Sequence, residues 1–423
     1  MPSEVSCSRP RVVIIGFVWP EPDSSAAGQN MLGLINSFVD ADWQVTFMTA
    51  ARGSEHAVDL PAMGVAQESI ALNCSSFNAR IAELSPDVVI FDRFMTEEQF
   101  ASRVREACPQ ALRVLNTEDL HSLRHARQLQ VRSGDASSMP DSPCTDDNSI
   151  REIAAILRSD LTLIISPEEK AYLLNQYPID ESLLLHVPLF TGCSAVPHRD
   201  FSQRRDFMFI GNFRHAPNWD AVLQLQQIWP HIRKQLPDAE LNIFGAYPPK
   251  KAMTMDNPAK GFRVRGWAKS AEQEIAAHRV MLAPIRFGAG VKGKLVGAMQ
   301  CGTPSVTTTV GAEGLKSESP WPGMISDNQQ GFIDAAVSLY TEQNEWDTCS
   351  RLGVSQFARQ FDNASNQQHL MTAIEQRRAE LETWRQRQFL QSLLWHQTLK
   401  ASQYMTQWIE AKNKHPDTLP RAW

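Results

Sequence analysis

Residues 284 to 294 read Pro-Ile-Arg-Phe-Gly-Ala-Gly-Val-Lys-Gly-Lys, which puts Arg286, Lys292 and Lys294 in one short stretch with Gly288 and Gly290. The three cations can neutralise an anion, and the two glycines let the backbone come close to it. An apolar run precedes the stretch and a helical pattern follows it, so free amides at the helix start would meet the same anion. The chemistry this suits is charge stabilisation on a phosphate, as a departing diphosphate requires, with no metal called for.

The elements that must hold this cradle are legible as apolar runs alternating with helical patterns, which argues for parallel sheets covered on both faces. The first half has strand candidates at 12–17, 44–49, 88–91, 112–116 and 161–165, and helices at 28–41, 96–107 and 150–159. The second half repeats the pattern, with strands at 207–211, 240–244, 262–265, 280–284 and 305–308 and helices at 220–235, 271–278 and 294–301. The expected fold is α/β, two doubly wound Rossmann-like domains facing across a cleft, with ligands outside the carboxyl ends of the strands. Expected boundaries are an N-terminal Rossmann-like domain at 1–190, a linker at 191–205, a C-terminal Rossmann-like domain at 206–350 and C-terminal helices at 351–423. Residues 131–149 are small and polar and read as a mobile loop. At 388–412, Phe389, Leu390, Leu393, Leu394, Leu399, Tyr404, Met405, Trp408 and Ile409 form an amphipathic pattern, read as a helix packing back on the domains.

Composition narrows the field. With 41 basic and 47 acidic residues the formal charge is -6, so no global attraction for nucleic acid exists and an anionic ligand must be held locally. Seven scattered cysteines fit a reducing compartment and none has metal-ligand spacing. The apolar run at 12–19 is too short for a signal core or a membrane span. The reading is cytoplasmic, with peripheral contact at the inner face of the membrane as an open alternative.

After the lysines come Gly302-Thr303-Pro304, a strand, and Gly311-Ala312-Glu313-Gly314-Leu315. This succession resembles the donor-binding half of the retaining GT-B glycosyltransferases of the family 4 type, the glycosyl transferases group 1. A second stretch, Phe209-Ile210-Gly211-Asn212-Phe213-Arg214-His215-Ala216-Pro217-Asn218-Trp219-Asp220, is similar to that family's first strand-to-helix loop in the C-terminal domain. The resemblance implies donor contacts from Gly211, Asn212, Arg214, Arg286, Gly288, Gly290, Lys292, Lys294, Gly311 and Glu313, while Asn218 and Asp220 read as helix caps. Gly28, in Pro20-Glu21-Pro22-Asp23-Ser24-Ser25-Ala26-Ala27-Gly28, resembles the family's glycine-rich first loop, which approaches the donor phosphates. In Asn116-Thr117-Glu118-Asp119-Leu120-His121, Glu118 stands where the family often has histidine and Asp119 matches its aspartate. Glu118, Asp119 and His121, with Arg124 beside them, would position an acceptor hydroxyl or sugar, and Lys294 would stabilise the leaving group. Asp92 and Arg93 are weaker candidates for the same cleft.

The pattern departs from the family where two glutamates eight residues apart are usual, because Ala289 and Gly297 stand there. The second usually binds the nucleotide ribose, and Glu313 is the candidate to take it over. The implied reaction is retaining, metal-independent transfer of a sugar from a nucleotide-diphosphate sugar, with no cofactor, to a glycan, lipid-linked or protein acceptor. A GT-B epimerase or phosphorylase and a non-catalytic GT-B binding protein remain as alternatives.

Overall fold

The computed structural model describes residues 9–135, 138–192, 199–315, 319–396, 405 and 408. Two parallel sheets organise it. The first contains β1 (Arg11–Gly16), β2 (Gln44–Thr49), β3 (Ala66–Ser69), β4 (Val88–Asp92), β5 (Leu112–Asn116), β6 (Leu161–Ile164) and β7 (Leu184–His186), in the order β3-β2-β1-β4-β5-β6-β7. The second contains β8 (Arg205–Ile210), β9 (Leu241–Phe244), β10 (Phe262–Gly266), β11 (His278–Ala283), β12 (Ser305–Thr307) and β13 (Gly323–Ile325), in the order β10-β9-β8-β11-β12-β13. Residues 12–15, 88–91 and 280–283 are almost completely buried because helices cover both faces of each sheet, which is why these strands carry no polar alternation. Strand order reverses between β1 and β4 and again between β8 and β11. Crevices therefore open at the carboxyl ends of those strands in both domains. Every segment that carries a candidate residue leaves the carboxyl end of a strand at or next to these crevices, β1, β4 or β5 in the first sheet and β8, β11 or β12 in the second.

All ten expected strands form, shifted by at most two residues at an end. β3, β7 and β13 were not foreseen. Each is an outer strand of three or four residues, and β3, Ala66–Ser69, is mostly exposed. Helices Ser76–Leu84, His121–Ser133 and Pro167–Gln176 also went unread. Helix His121–Ser133 and helix Asp147–Arg158 take both ends of the expected loop at 131–149, so the described part between them lacks helix and strand only over 134–146. Residues 136 and 137 lie outside the described residues, as do 193–198 of the expected linker. β8 already begins at Arg205, the last residue assigned to that linker.

Helix Gln343–Gln360 runs across the expected boundary at 350 and belongs with the second sheet, where Trp346 Nε1 donates to Arg279 O at 2.7 Å and Ser350 Oγ to Gly302 O at 2.7 Å. The chain then returns to the first sheet through Asn363–Ala379, Leu381–Arg387 and Phe389–His396. The last of these meets the first domain through polar groups and through the Trp395 ring, which packs against the hydrophobic core there. Gln391 donates to Ser159 O at 2.9 Å and Trp395 Nε1 to Arg158 O at 3.3 Å, while Phe389 is 75% exposed and Leu393 51%. Of the expected apolar stripe, Phe389, Leu390 and Leu393 face outward here, while Leu394 is half-buried. Leu399, Tyr404 and Ile409 lie outside the described residues.

Candidate active site

The loops leaving β1, β4 and β5 meet those leaving β8, β11 and β12. Arg93 (φ 71°) and Glu118 (φ 60°) hold left-handed backbone without being glycine, and Arg93 N donates to Asn116 O at 2.7 Å. Strain of this sort is retained where surrounding contacts over-determine it. Glu118 and Asp119, adjacent in sequence, go to different places. Glu118 is buried inside the first domain, where its Oε1 accepts from Asn116 at 2.9 Å and Asn30 at 3.2 Å, and Asn116 also reaches Asp92 at 3.4 Å. Burial, reinforced by the charge on Asp92, raises the Glu118 pKa above the usual carboxylate range. Burial raises Asp92 as well. Asp119 faces the cleft, paired with Arg124 and 3.7 Å from His121 Nε2. Burial opposes its ionisation, yet Arg124 and His121 hold its pKa below the ordinary range. The expected group of two carboxylates and a histidine is thus split: Asp119, His121 and Arg124 stay together and Glu118 leaves them.

Two carboxylates that the sequence reading missed build this corner. Glu152 accepts from His121 N and Ser122 N, each at 2.9 Å, and so caps the start of helix His121–Ser133 from a different helix. Glu169, only 1% exposed, places one oxygen 2.8 Å from Leu120 N and 2.8 Å from Gly290 N. It therefore joins the loop after β5 to the loop after β11 across the domains. No local pattern marks either residue, since their partners lie 30 or more positions away. Glu169→Ala would strand two buried amides and is expected to lower stability by about 2–4 kcal/mol. Glu169→Gln keeps an acceptor oxygen and should lose less than half of that in a urea titration.

In the second domain Lys294 Nζ donates to Asn218 Oδ1 at 2.8 Å, and Asn218 Nδ2 to Asn212 O at 2.9 Å. Asp220 accepts from Arg286 Nε at 2.9 Å. Both side chains were expected to cap a helix start. The helix begins earlier, at Ala216, so Asn218 and Asp220 sit inside it and orient Lys294 and Arg286 instead. Lys292 is buried and donates to Gly290 O at 2.8 Å. Burial, with Lys292 nearby, pushes Lys294 down to about 7.

The glycine-rich loop is seated in the other domain. Arg127 donates to Gly288 O at 2.8 Å and clasps Glu313 at 2.6 and 2.8 Å, and Ala289 is packed in the first domain's core. Gly290 has φ 63°, and a Cβ on it would come within 2.9 Å of Asp119 Cβ, so both the turn and the contact require glycine. In this arrangement Gly290 N and Gly288 O serve the domain contact. Gly28 N is likewise taken by Ser25 Oγ at 3.0 Å, and Gly311 N by Thr308 Oγ1 at 3.0 Å. Gly211 packs its Cα against the Asn218 side chain, and Arg214 lies 3.5 Å over the Tyr247 ring. At the far end of the cleft Tyr247 donates to Glu21 at 3.0 Å and Trp267 Nε1 to Asp23 O at 3.0 Å.

The cleft thus gathers Lys292, Lys294 and Asn218 near Asp119, which is paired with Arg124 and lies beside the His121 ring, an arrangement that can hold an anion next to a hydroxylated substrate. No cluster of three or more potential metal ligands occurs among the described residues, and no helix described is long and apolar enough to cross a membrane.

Residues 204–342 match the family model described as glycosyl transferases group 1. No curated protein has a matching sequence. Among solved structures, S. aureus TarM, in complex with fondaparinux, alpha-GlcNAc-glycerol and UDP, is similar at TM-score 0.68 and 8% identity, over 86% of this chain and 99% of that one. Anabaena HepE in complex with UDP and glucose is similar at TM-score 0.64 and 12% identity, over 87% of this chain and 100% of the other. The sucrose-phosphate synthase of Thermosynechococcus elongatus reaches TM-score 0.61 at 13% identity, with 87% and 99% covered. At such identities the likeness is one of fold.

Proposed function

We propose that this chain, whose residues 204–342 belong to the glycosyl transferases group 1 and whose two sheets take the GT-B fold, moves a sugar from a nucleotide-diphosphate donor to an acceptor hydroxyl. The observation that carries this reading is the Lys292 and Lys294 pair, oriented by Gly290 O and Asn218, on a loop whose Gly290 packs against Asp119 across the cleft. In the proposed step the acceptor oxygen bonds to the anomeric carbon as the bond from that carbon to the phosphate oxygen breaks. The hydroxyl proton passes to the departing phosphate, and attack on the same face retains configuration. The lysines stabilise the charge that grows on the leaving diphosphate, which asks for no metal. Asp119, with His121 and Arg124, orients the acceptor. UDP in complexes of TarM and HepE makes a uridine donor the first to test.

Thermal-shift titration with UDP, GDP and ADP and their glucose conjugates tests the reading, because a ligand of the native state raises its melting temperature. Release of nucleotide from one of these sugars supports it, and no shift with any of them overturns it. The donor site also predicts a pH dependence. Lys294 without ligand loses its proton near pH 7, and a bound diphosphate favours the charged form. UDP affinity should therefore be highest below about pH 7 and fall above it by up to about tenfold per unit, with proton uptake on binding visible by calorimetry in buffers of different ionisation enthalpy. An affinity constant from pH 6 to 9 would contradict the assignment of Lys294 to the phosphates.

A further inference from the structure

Beside Asp119 lies a cavity of about 300 Å³ whose walls come from both domains, Phe94 and His121 from the first and Ala216 and Phe287 from the second. Its polar lining consists of Arg124, Arg151, His121 and His125 with the amides of Gln128 and Asn148, and no carboxylate among the described residues lines it. Phe94, His121 and Ala216 are each the first residue of a helix, and Asn148 the second. The starts of four helices therefore converge here; Glu152 already accepts from His121 N and Asp146 from Asn148 N, while the starts at Phe94 and Ala216 have no side-chain cap among the described residues. His125 Nδ1 is buried without a hydrogen-bond partner among the described residues.

Carboxylates nearby hold residues of the lining without lining it themselves: Asp147, which is exposed, lies 3.7 Å from Arg151, Asp146 accepts from Asn148 N and Glu152 from His121 N. Asp119 engages Arg124 through Nη1, one nitrogen of a guanidinium that carries five N–H donors. Glu98 takes Arg151 at 3.0 Å and 3.1 Å and holds it 5.3 Å over the Phe94 ring. The cavity therefore offers two guanidinium groups and apolar rings, with its acceptors at the amide oxygens of Gln128 and Asn148 and on the His121 ring, which burial keeps neutral near pH 7. A neutral sugar could pair with those amides and that ring but would bring no charge to the two guanidinium groups. A sugar bearing a compact anion would match the arginines, while its C–H face lies on the phenylalanines.

We propose that this cavity is the acceptor subsite and that it takes an acidic sugar, one carrying a carboxylate or a phosphate. This rests on the glycosyl-transfer reading for the word acceptor, but the preference for an anion rests on the cavity itself. The anionic group is not consumed: a neutral hydroxyl of the same sugar makes the new bond, and the acid holds the ring in place.

Binding of p-nitrophenyl glucuronide, p-nitrophenyl glucoside, glucose 6-phosphate and dodecyl phosphate to the full chain, measured by calorimetry and saturation-transfer NMR, tests the proposal. The glucuronide and the sugar phosphate should bind about tenfold or more tightly than the glucoside, the size expected of one charge-assisted contact. Arg124→Gln and Arg151→Gln should each remove most of that preference, and because Arg151 is more exposed its variant keeps the test open if loss of Arg124 unfolds the chain; thermal melts check each. Equal affinity for glucuronide and glucoside, or a preference that survives both substitutions, overturns the proposal. So does equally tight binding of dodecyl phosphate, which has the anion without the ring. Should no nucleotide raise the melting temperature while the glucuronide still binds selectively, glycosyl transfer falls and the acidic-sugar site stands.

Discussion

Lys294→Ala is expected to slow release of nucleotide from the sugar donor by about 10²–10³-fold, the range seen when one preorganised charge-stabilising donor is lost from a dry site. The size follows from how the side chain is held. Asn218 fixes its ammonium at 2.8 Å, Asn218 is itself tied to Asn212 O, and the ammonium also lies 5.3 Å over the Phe209 ring. Reorganisation therefore costs little as charge develops on the leaving group. Lys294→Arg should recover only part of the rate, because a planar fork cannot replace a point donor in the same space. Asn218→Ala should lower the rate by about tenfold, a smaller loss that marks a positioning residue. Initial rates of nucleotide release, with circular dichroism to confirm folding, decide the matter. A Lys294→Ala protein with unaltered rate would remove the central element of the mechanism.

Asp160→Ala is the substitution expected to cost most in stability, about 3–5 kcal/mol, because it leaves a buried guanidinium without its counter-charge. Asp160 is fully buried and accepts from Arg113 N at 2.9 Å, Arg385 Nε at 3.0 Å and Gln391 Nε2 at 3.0 Å. Arg113 belongs to β5, whose end carries the acceptor loop, while Arg385 and Gln391 belong to the returning C-terminal helices. One carboxylate thus fastens those helices to the sheet beneath the site. Burial would raise its pKa, but Arg385 and Arg113 hold it down to about 2. A folded value below the unfolded one means the contribution is complete above about pH 4 and is lost as pH falls through about 2. Denaturant titration at pH 7 should show the full deficit in the variant, with the gap to the native chain closing in strong acid. A deficit under about 1 kcal/mol at pH 7 would show that the charges are satisfied in some other way.

The residues expected to hold a donor come together in the structure more fully than those expected to hold an acceptor. Lys292, Lys294, Arg286 and the glycines lie within nine residues of one another, and the loop and helix start that hold them are local, so spacing alone brings them together. Glu118 illustrates the opposite case. It is as close to Asp119 in sequence as two residues can be, yet a left-handed backbone at Glu118 turns its side chain to Asn30 and Asn116 and away from the cleft. Nothing in the side-chain types of 116–121 encodes that turn.

What the sequence by itself determined was the alternation of apolar strands and helices, hence two doubly wound sheets, and the glycine and lysine stretch after β11, because these depend on short-range periodicity and spacing. Short outer strands such as β3 and β13 escaped it, since three or four residues become a strand only by pairing with a neighbour already in place. Tertiary structure alone decided that Glu169 and Arg127 clasp the donor loop from the other domain, that Asn218 aims a lysine instead of capping a helix, and that helix ends converge on a cavity free of carboxylates. The physical reason is the same throughout: a buried polar group must find a partner, and the partner that satisfies it is chosen by the packing of distant elements, not by the residues on either side.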